Sequence, residues 1–297
     1  MPEVPDPVAL MLDVLDLSSS DARTTEDIFT GRSHPMPSGR IFGGQVLAQA
    51  ILAADRTTSD DRVPHSMHGY FLRAGDASAG LTFSVDRIHD GRSFSTRRTQ
   101  AFQDGLPIFS MIASFEKEDP GLEHDAPMPV GIDDPETIRR RRDAASRHPA
   151  SGRLLDQIPI EILHTAGDLY TEPAADRTPG QAVWMRTRRS IGDDAALHRA
   201  VLAYMTDMTI QEPVLRAHGV AWSSPGLKVA SLDHAMWWHR PARVDDWLLY
   251  VQESPSARGG RGFSTGRIYS REGALVASVA QEIMVRVPDP HRVIDDA

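Results

Sequence analysis

Residues 91–98 read GRSFSTRR and residues 260–267 read GRGFSTGR, and this pair of octapeptides decides how the 297-residue chain is organised. Six of the eight positions agree. An eight-residue match can arise by accident, so its surroundings carry the weight. Each copy is followed by a turn (Gln103-Asp104-Gly105; Arg271-Glu272-Gly273) and then by an apolar run, LPIFSMIASF from Leu106 and ALVASVAQEIMVRV from Ala274. Upstream of each copy lies an aromatic-rich stretch holding a histidine, HSMHGYFLRAG around His68 and SLDHAMWWHRP around His234. Farther upstream, GGQVLAQAILAA (43–54) and HRAVLAYMTDM (198–208) share Val-Leu-Ala. The order helix, strand, strand, strand, turn, strand therefore occurs twice, which implies a duplicated α+β unit.

Periodicity supports these assignments. Leu47, Ala50, Ile51 and Ala54 recur at helical spacing. Leu81 to Val85 alternates with period 2, and Trp247 to Val251 is rich in aromatic and large aliphatic residues, as strands are. Helices are too few for βαβ alternation, so an antiparallel sheet wrapped around one long helix fits each half better than a doubly wound sheet. The halves are separated by a polar, breaker-rich stretch from about Glu116 to Pro159 with one short helix predicted over Pro135–Arg147. The expected division is an N-terminal domain at 1–118, a linker at 119–158 and a C-terminal domain at 159–297.

Composition removes several classes of chemistry. With no cysteine there can be no disulfide, thiolate nucleophile, iron–sulfur cluster or cysteine zinc site. The acidic start MPEVPDPVALMLDVLDL is not a signal peptide, and the final VIDDA is neither a lipidation nor a peroxisomal signal. No stretch approaches the roughly 20 apolar residues of a membrane span. A cytoplasmic protein is expected. A net charge of −9 repels a phosphate backbone and argues against nucleic acid as a partner. The run Arg139–Arg142 reads as a solvated basic helical turn, with contact to the phosphates of a nucleotide-bearing substrate as the alternative.

Several long segments, in order, resemble the acyl-CoA thioesterase II family: RIFGGQVLAQA (40–50), HSMHGYFLRAGD (65–76), DGRSFSTRR (90–98), LDHAMWWHRP (232–241) and DDWLLYVQESPSARGGRGFSTGRIYSREGALVASVAQE (245–282). The resemblance implies a double hotdog, α+β, with two fused units each wrapping an antiparallel sheet around a long helix. It implies hydrolysis of fatty acyl-CoA to free acid and CoA without a cofactor or metal, in a protein that associates as a homo-oligomer. In that family an aspartate, a threonine or serine, and a glutamine orient the attacking water. These match Asp207 in AYMTDMTI, Ser231 in VASLDH and Gln281 in VASVAQE. Serine in place of threonine keeps the hydroxyl.

The chemistry suits these residue types. A thiolate leaves readily, so the difficulty lies in generating and aiming the nucleophile, and one carboxylate acting on water suffices. Ser231 and Gln281 can hold that water by hydrogen bonds. Asp207 sits among Met205, Met208 and Ile210, where a carboxylate must be solvated or hydrogen-bonded. From the residues alone, a structural role is as open as a functional one. A covalent Ser231 would need an adjacent base. His234, three residues along the same predicted strand, points to the opposite face. The N-terminus of the first long helix can supply N–H groups to an oxyanion, and Gly43 and Gly44 would let a substrate approach it closely, unless they are only the turn into that helix.

Other features favour structural readings. His234 and His239 fall on opposite strand faces without a clustered acidic partner for a metal. Trp237 and Trp238 read as core and rim packing. Arg98 and Arg267, present in both halves, suggest structural pairing. Superposing the halves places Leu52 opposite Asp207, His65 opposite Ser231 and Ala113 opposite Gln281, so one catalytic centre per chain is expected. The rival functions are a hotdog enoyl-CoA hydratase or dehydratase, which would use Asp233-His234, and a non-catalytic acyl-CoA binding protein.

Overall fold

The computed structural model describes residues 6–20, 24–34, 36, 38–144 and 157–288. The two chain ends singled out above, residues 1–5 and 293–297, lie outside the described residues, as does the 145–156 part of the linker. In chain order the elements are α1 (Pro7–Leu15), β1 (Ser18–Ser19), β2 (Asp27–Gly31), α2 (Gly43–Asp55), β3 (Val63–Phe71), β4 (Leu81–Asp90), β5 (Phe94–Gln103), β6 (Leu106–Glu116) and α3 (Pro135–Ala144). There follow β7 (Ile160–His164), β8 (Gly180–Thr187), α4 (Ala195–Thr206), α5 (Glu212–Ala217), β9 (Lys228–Ser231), β10 (Asp233–Trp238), β11 (Leu248–Arg258), β12 (Arg261–Ser270) and β13 (Leu275–Arg286). They pack into two compact units. The first holds 1–124, 191–208 and 233–243, and the second 125–190, 209–232 and 244–297.

In the first unit the strands run β1-β2-β4-β5-β6-β3-β10, antiparallel throughout. Every residue of α2 from Gly44 to Ala54 is buried. A helix buried all round has no solvated face to hold polar groups, so each one it carries must find a partner. Gln49 Nε2 donates to the carbonyls of Val14 (2.7 Å) and Arg32 (2.9 Å), and Gln45 Nε2 donates to Gln49 Oε1 (3.1 Å). Packing against α4 is very close: a Cβ on Gly44 would lie 2.4 Å from the Tyr204 carbonyl oxygen. The β5–β6 hairpin turns through Asp104 (φ 48°) and Gly105 (φ 74°), the left-handed pair that a two-residue hairpin demands.

In the second unit the order is β9-β13-β12-β11-β8-β7. One face of this sheet carries Leu163, Ala182, Trp184, Leu249, Tyr269 and Leu275 in a cluster with Trp247, and Ile138 of α3 closes over it with Met128 and Ile132. Trp184 Nε1 donates to the Asp133 carbonyl at 2.9 Å. The connecting segment, read as polar linker, is thus docked by three well-spaced apolar residues. Three arginines of the run 139–142 are in ion pairs, Arg139 with Glu161 (2.8 Å), Arg141 with Asp133 (2.5 Å) and Arg142 with Glu161 (4.0 Å), and Arg140 donates to Thr137 Oγ1 (3.0 Å), while Arg139 and Arg186 lie over the Trp247 ring.

The duplicated octapeptides open β5 and β12 with the same alternation. Phe94 and Phe263 face outward, and Ser95 and Ser264 inward. They differ one step on. Arg97 is fully buried, donating to Thr57 Oγ1 (2.8 Å) and pairing with Asp90 (2.7 Å). Its counterpart Gly266 leaves that space to the Tyr250 ring, which a Cβ would meet at 2.3 Å. The next arginines, Arg98 and Arg267, are exposed, and Arg98 meets Asp86 at 3.2 Å.

The register of these hairpins corrects the superposition of the halves. Ser95 lies opposite Phe115 and Ser264 opposite Gln281, so the counterpart of Gln281 is Phe115, two residues beyond Ala113. A β-strand shift of two keeps the face and changes the level, which matching by sequence alone does not detect.

Candidate active site

Asp207 follows the last residue of α4 with φ −80° and ψ −7°, and it is 2% exposed. The helix stops two residues short of the 198–208 run read from the sequence, and residues 207–211 form a turn before Pro213 enters α5. The carboxylate is aimed at the start of α2. A Cβ on Gly43 would sit 2.6 Å from Asp207 Oδ2, with the Phe71 ring 3.1 Å away on its other side. Phe42, the residue capping α2, offers no side-chain hydrogen bond to the helix. Asp207 Oδ2 therefore lies beside the first turn of α2, where the partial positive charge of the helix end favours a carboxylate. Burial, and then the charge of Asp207, push the Tyr204 phenol well above its usual pKa. Tyr204 packs edge-on against Phe42 with ring centroids 4.9 Å apart.

The glycine pair thus has two different neighbours. Gly44 is pressed against the backbone of α4, so the close approach there is made by the chain itself. Gly43 borders the Asp207 carboxylate.

Ser231 and Gln281 are brought together in the second unit. Ser231 closes β9, opposite Ile283 of β13, and Gln281 Nε2 donates to Ser231 Oγ at 2.9 Å. Gln281 is fully buried on the inner face of β13. Ser231 and His234 do not share a strand as expected: the ladder breaks at Leu232, and β9 pairs with β13 while β10 pairs with β3. His234 is fully buried, with Nε2 3.1 Å from Thr206 Oγ1, and Asp233 lies on the opposite face of β10. His239 is exposed just beyond that strand, and Trp237 stands edge-on to His68 at 5.1 Å.

A second amide reaches the same hydroxyl, which the sequence reading did not find. Gln211 Nε2 donates to Ser231 Oγ at 3.0 Å. Its neighbours are tied into a buried polar cluster. Glu212 Oε2 lies 2.8 Å from His164 Nε2 and accepts from Gln181 Nε2 at 2.7 Å, and Glu212 Oε1 accepts from Trp222 Nε1 at 3.2 Å. Gln252 Nε2 donates to Thr209 Oγ1 at 2.6 Å. Burial alone would push the Glu212 carboxyl up, but the nearby His164 and the hydrogen bonds outweigh it and hold the pKa below the usual value. The only hint in the sequence is the polar pair Gln-Glu directly after the apolar run ending at Ile210, which reads locally as no more than a turn.

The acyl-CoA thioesterase N-terminal domain family matches residues 32–116, and the acyl-CoA thioesterase C-terminal domain family matches residues 133–285. The chain is 37% identical to acyl-coenzyme A thioesterase 8 of Homo sapiens over 292 residues, covering 94% of this chain and 89% of that protein. It superposes on the crystal structure of an acyl-CoA thioesterase II from Mycobacterium marinum with a TM-score of 0.74 at 37% identity, over 94% of this chain and 98% of that one. A hot dog fold protein from Alicyclobacillus acidocaldarius, 18% identical, superposes with a TM-score of 0.74 over 94% and 98%, a likeness of fold alone. With two helix-and-sheet repeats in one chain, and matches that span nearly all of it, the chain belongs to the acyl-CoA thioesterase II family, α+β double-hotdog enzymes that hydrolyse acyl-CoA thioesters.

Proposed function

We propose that this enzyme hydrolyses fatty acyl-CoA by direct attack of a water molecule that Asp207, Ser231 and Gln281 hold. The observation that carries the reading is the Gln281–Ser231 hydrogen bond. Because the Gln281 amide nitrogen is spent on Ser231, its Oε1 is the end that accepts, and the Ser231 hydroxyl, which takes that bond on one lone pair, can donate through its hydrogen. A water has two hydrogens and two lone pairs. Asp207 and Gln281 Oε1 take the hydrogens, Ser231 fills one lone pair, and the other is left for the thioester carbonyl carbon. As the C–O bond forms, the water proton passes to the Asp207 carboxylate. The C–S bond then breaks, CoA leaves as thiolate, and the proton returns to its sulfur. N–H groups at the start of α2, beside Gly43 and Gly44, are the donors we assign to the developing oxyanion.

The halves 1–118 and 159–297 are in this reading the two hotdog repeats, joined by 119–158. We place the enzyme in the cytoplasm as a homo-oligomer with acyl-CoA as its small-molecule partner. Among the described residues no helix is long and apolar enough to cross a membrane. Detection of free thiol from saturated acyl-CoA esters of increasing chain length tests the activity. Release of CoA is expected. Hydration of an enoyl-CoA without thiol release would replace this reading with the hydratase, and tight binding without turnover would replace it with a carrier.

A further inference from the structure

Two amide groups converge on one hydroxyl oxygen. Gln281 Nε2 and Gln211 Nε2 both donate to Ser231 Oγ, at 2.9 and 3.0 Å. A serine hydroxyl has two lone pairs and one hydrogen. With both lone pairs engaged by N–H groups, the oxygen has no acceptor capacity left, and the hydroxyl can act only through its hydrogen. One amide alone would leave a lone pair open, and the hydroxyl could then turn and accept from the water it is meant to aim.

Gln211 is held to this task by its neighbours. Thr209, two residues before it, accepts from Gln252 on β11 through its hydroxyl, and its carbonyl accepts the Glu212 amide N–H at 3.0 Å. Glu212, the next residue, is itself fully buried and is bonded to side chains of β7, β8 and the loop after α5: His164, Gln181 and Trp222. A fully buried carboxylate is costly unless several donors satisfy it, and here three do. The turn carrying Gln211 is thereby fixed to three sheet strands at once through Glu212 and Thr209, while the Gln211 side chain itself points to Ser231. An investment of buried polar groups around a short turn is explained if the side chain it presents needs a fixed direction.

We propose that Gln211 is a positioning residue for the hydrolysis, which makes the Ser231 hydroxyl an obligatory donor toward the attacking water. This rests on the reading in which Ser231 serves the reaction. The test is a double-mutant cycle on the full-length enzyme, with kcat and KM measured for Gln211→Leu, Ser231→Ala and the pair. Gln211→Leu is expected to lower kcat about five- to twentyfold with KM little changed, the scale of one lost hydrogen bond. In the Ser231→Ala background the same change should cost less than about twofold, because there is no hydroxyl left to orient. Equal losses in both backgrounds, or no loss in the first, would overturn the proposal. Near-normal kcat for Ser231→Ala alone is a different result, and it would remove the reading of Ser231 itself. Gln211→Asn keeps an amide but withdraws it from Ser231, and should match Gln211→Leu in kcat. If Gln211→Leu fails to fold, the asparagine variant carries the same cycle.

Discussion

The Asp207 carboxylate and Gly43 are in such close contact that any side chain at residue 43 must displace Oδ2, since a Cβ there would lie 2.6 Å from it. One residue on, a Cβ at Gly44 would meet the Tyr204 backbone carbonyl at 2.4 Å. Two adjacent glycines therefore make separable predictions. Gly43→Ala should lower kcat at least tenfold with a small change in melting temperature, because a side-chain carboxylate can swing away. Gly44→Ala should destabilise the protein by about 1–3 kcal/mol, since overpacking against backbone has no cheap relief. Thermal unfolding and steady-state kinetics on both variants check this; equal losses of stability would refute the distinction.

Asp207→Asn keeps the shape and removes the group that accepts a proton. A loss on the order of 10²–10⁴-fold in kcat is expected, with the fold unchanged by circular dichroism. Near-normal turnover would make Asp207 a structural group, the N-terminal partner of α2 and nothing more.

Ser231→Thr should retain much of the activity because the hydroxyl survives, and Ser231→Ala should lose far more. Direct attack by water leaves no acyl group on the protein. An adduct on Ser231 seen by mass spectrometry with a slow substrate would overturn that mechanism.

Asp55, half-buried at the last turn of α2, has its carboxyl pushed from 3.8 up to about 6, by burial first, with the nearby Arg199 opposing and Asp194 adding to the rise. A carboxyl whose folded pKa is raised contributes stability in full below its unfolded value, and that stability is lost as pH rises through about 6. Asp55→Asn should therefore stabilise the protein by about 1–3 kcal/mol at pH 7.5 and give little gain at pH 4. Melting temperatures at the two pH values decide it, and an equal shift at both would sink the assignment.

One catalytic centre per chain is expected, because Leu52 and Phe115 stand where Asp207 and Gln281 have their counterparts. Titrating a non-hydrolysable acyl-CoA analogue by calorimetry should give a stoichiometry of one. A value of two equivalent sites would contradict the asymmetry.

Much of this was legible in the sequence. Helical spacing of apolar residues located α2, the shared Val-Leu-Ala located α4, and the octapeptides with the apolar runs after them located the paired strands and established the duplication. Resemblance pointed to Asp207, Ser231 and Gln281, and of these the structure joins Ser231 to Gln281 by a hydrogen bond. What stayed hidden depends on pairing across the sheet. Phe115 and Ala113 share a face, so only hairpin register identifies the true counterpart of Gln281. Gln211 was silent because it sits in a turn and its partner Ser231 lies twenty residues away at the end of β9. Ile138, Met128 and Ile132 were too widely spaced to announce that the connector is a docked cover for the second sheet.

The assignment of α4 and β10 to the first unit bears on how this gene can change. A first half cut off anywhere between residues 124 and 191 would lack the helix that packs on Gly44 and the strand that pairs with β3, leaving an open hydrogen-bonding edge prone to misassociation. Two separately made fragments would have to find each other before β3 regained its neighbour and Gly44 its packing surface.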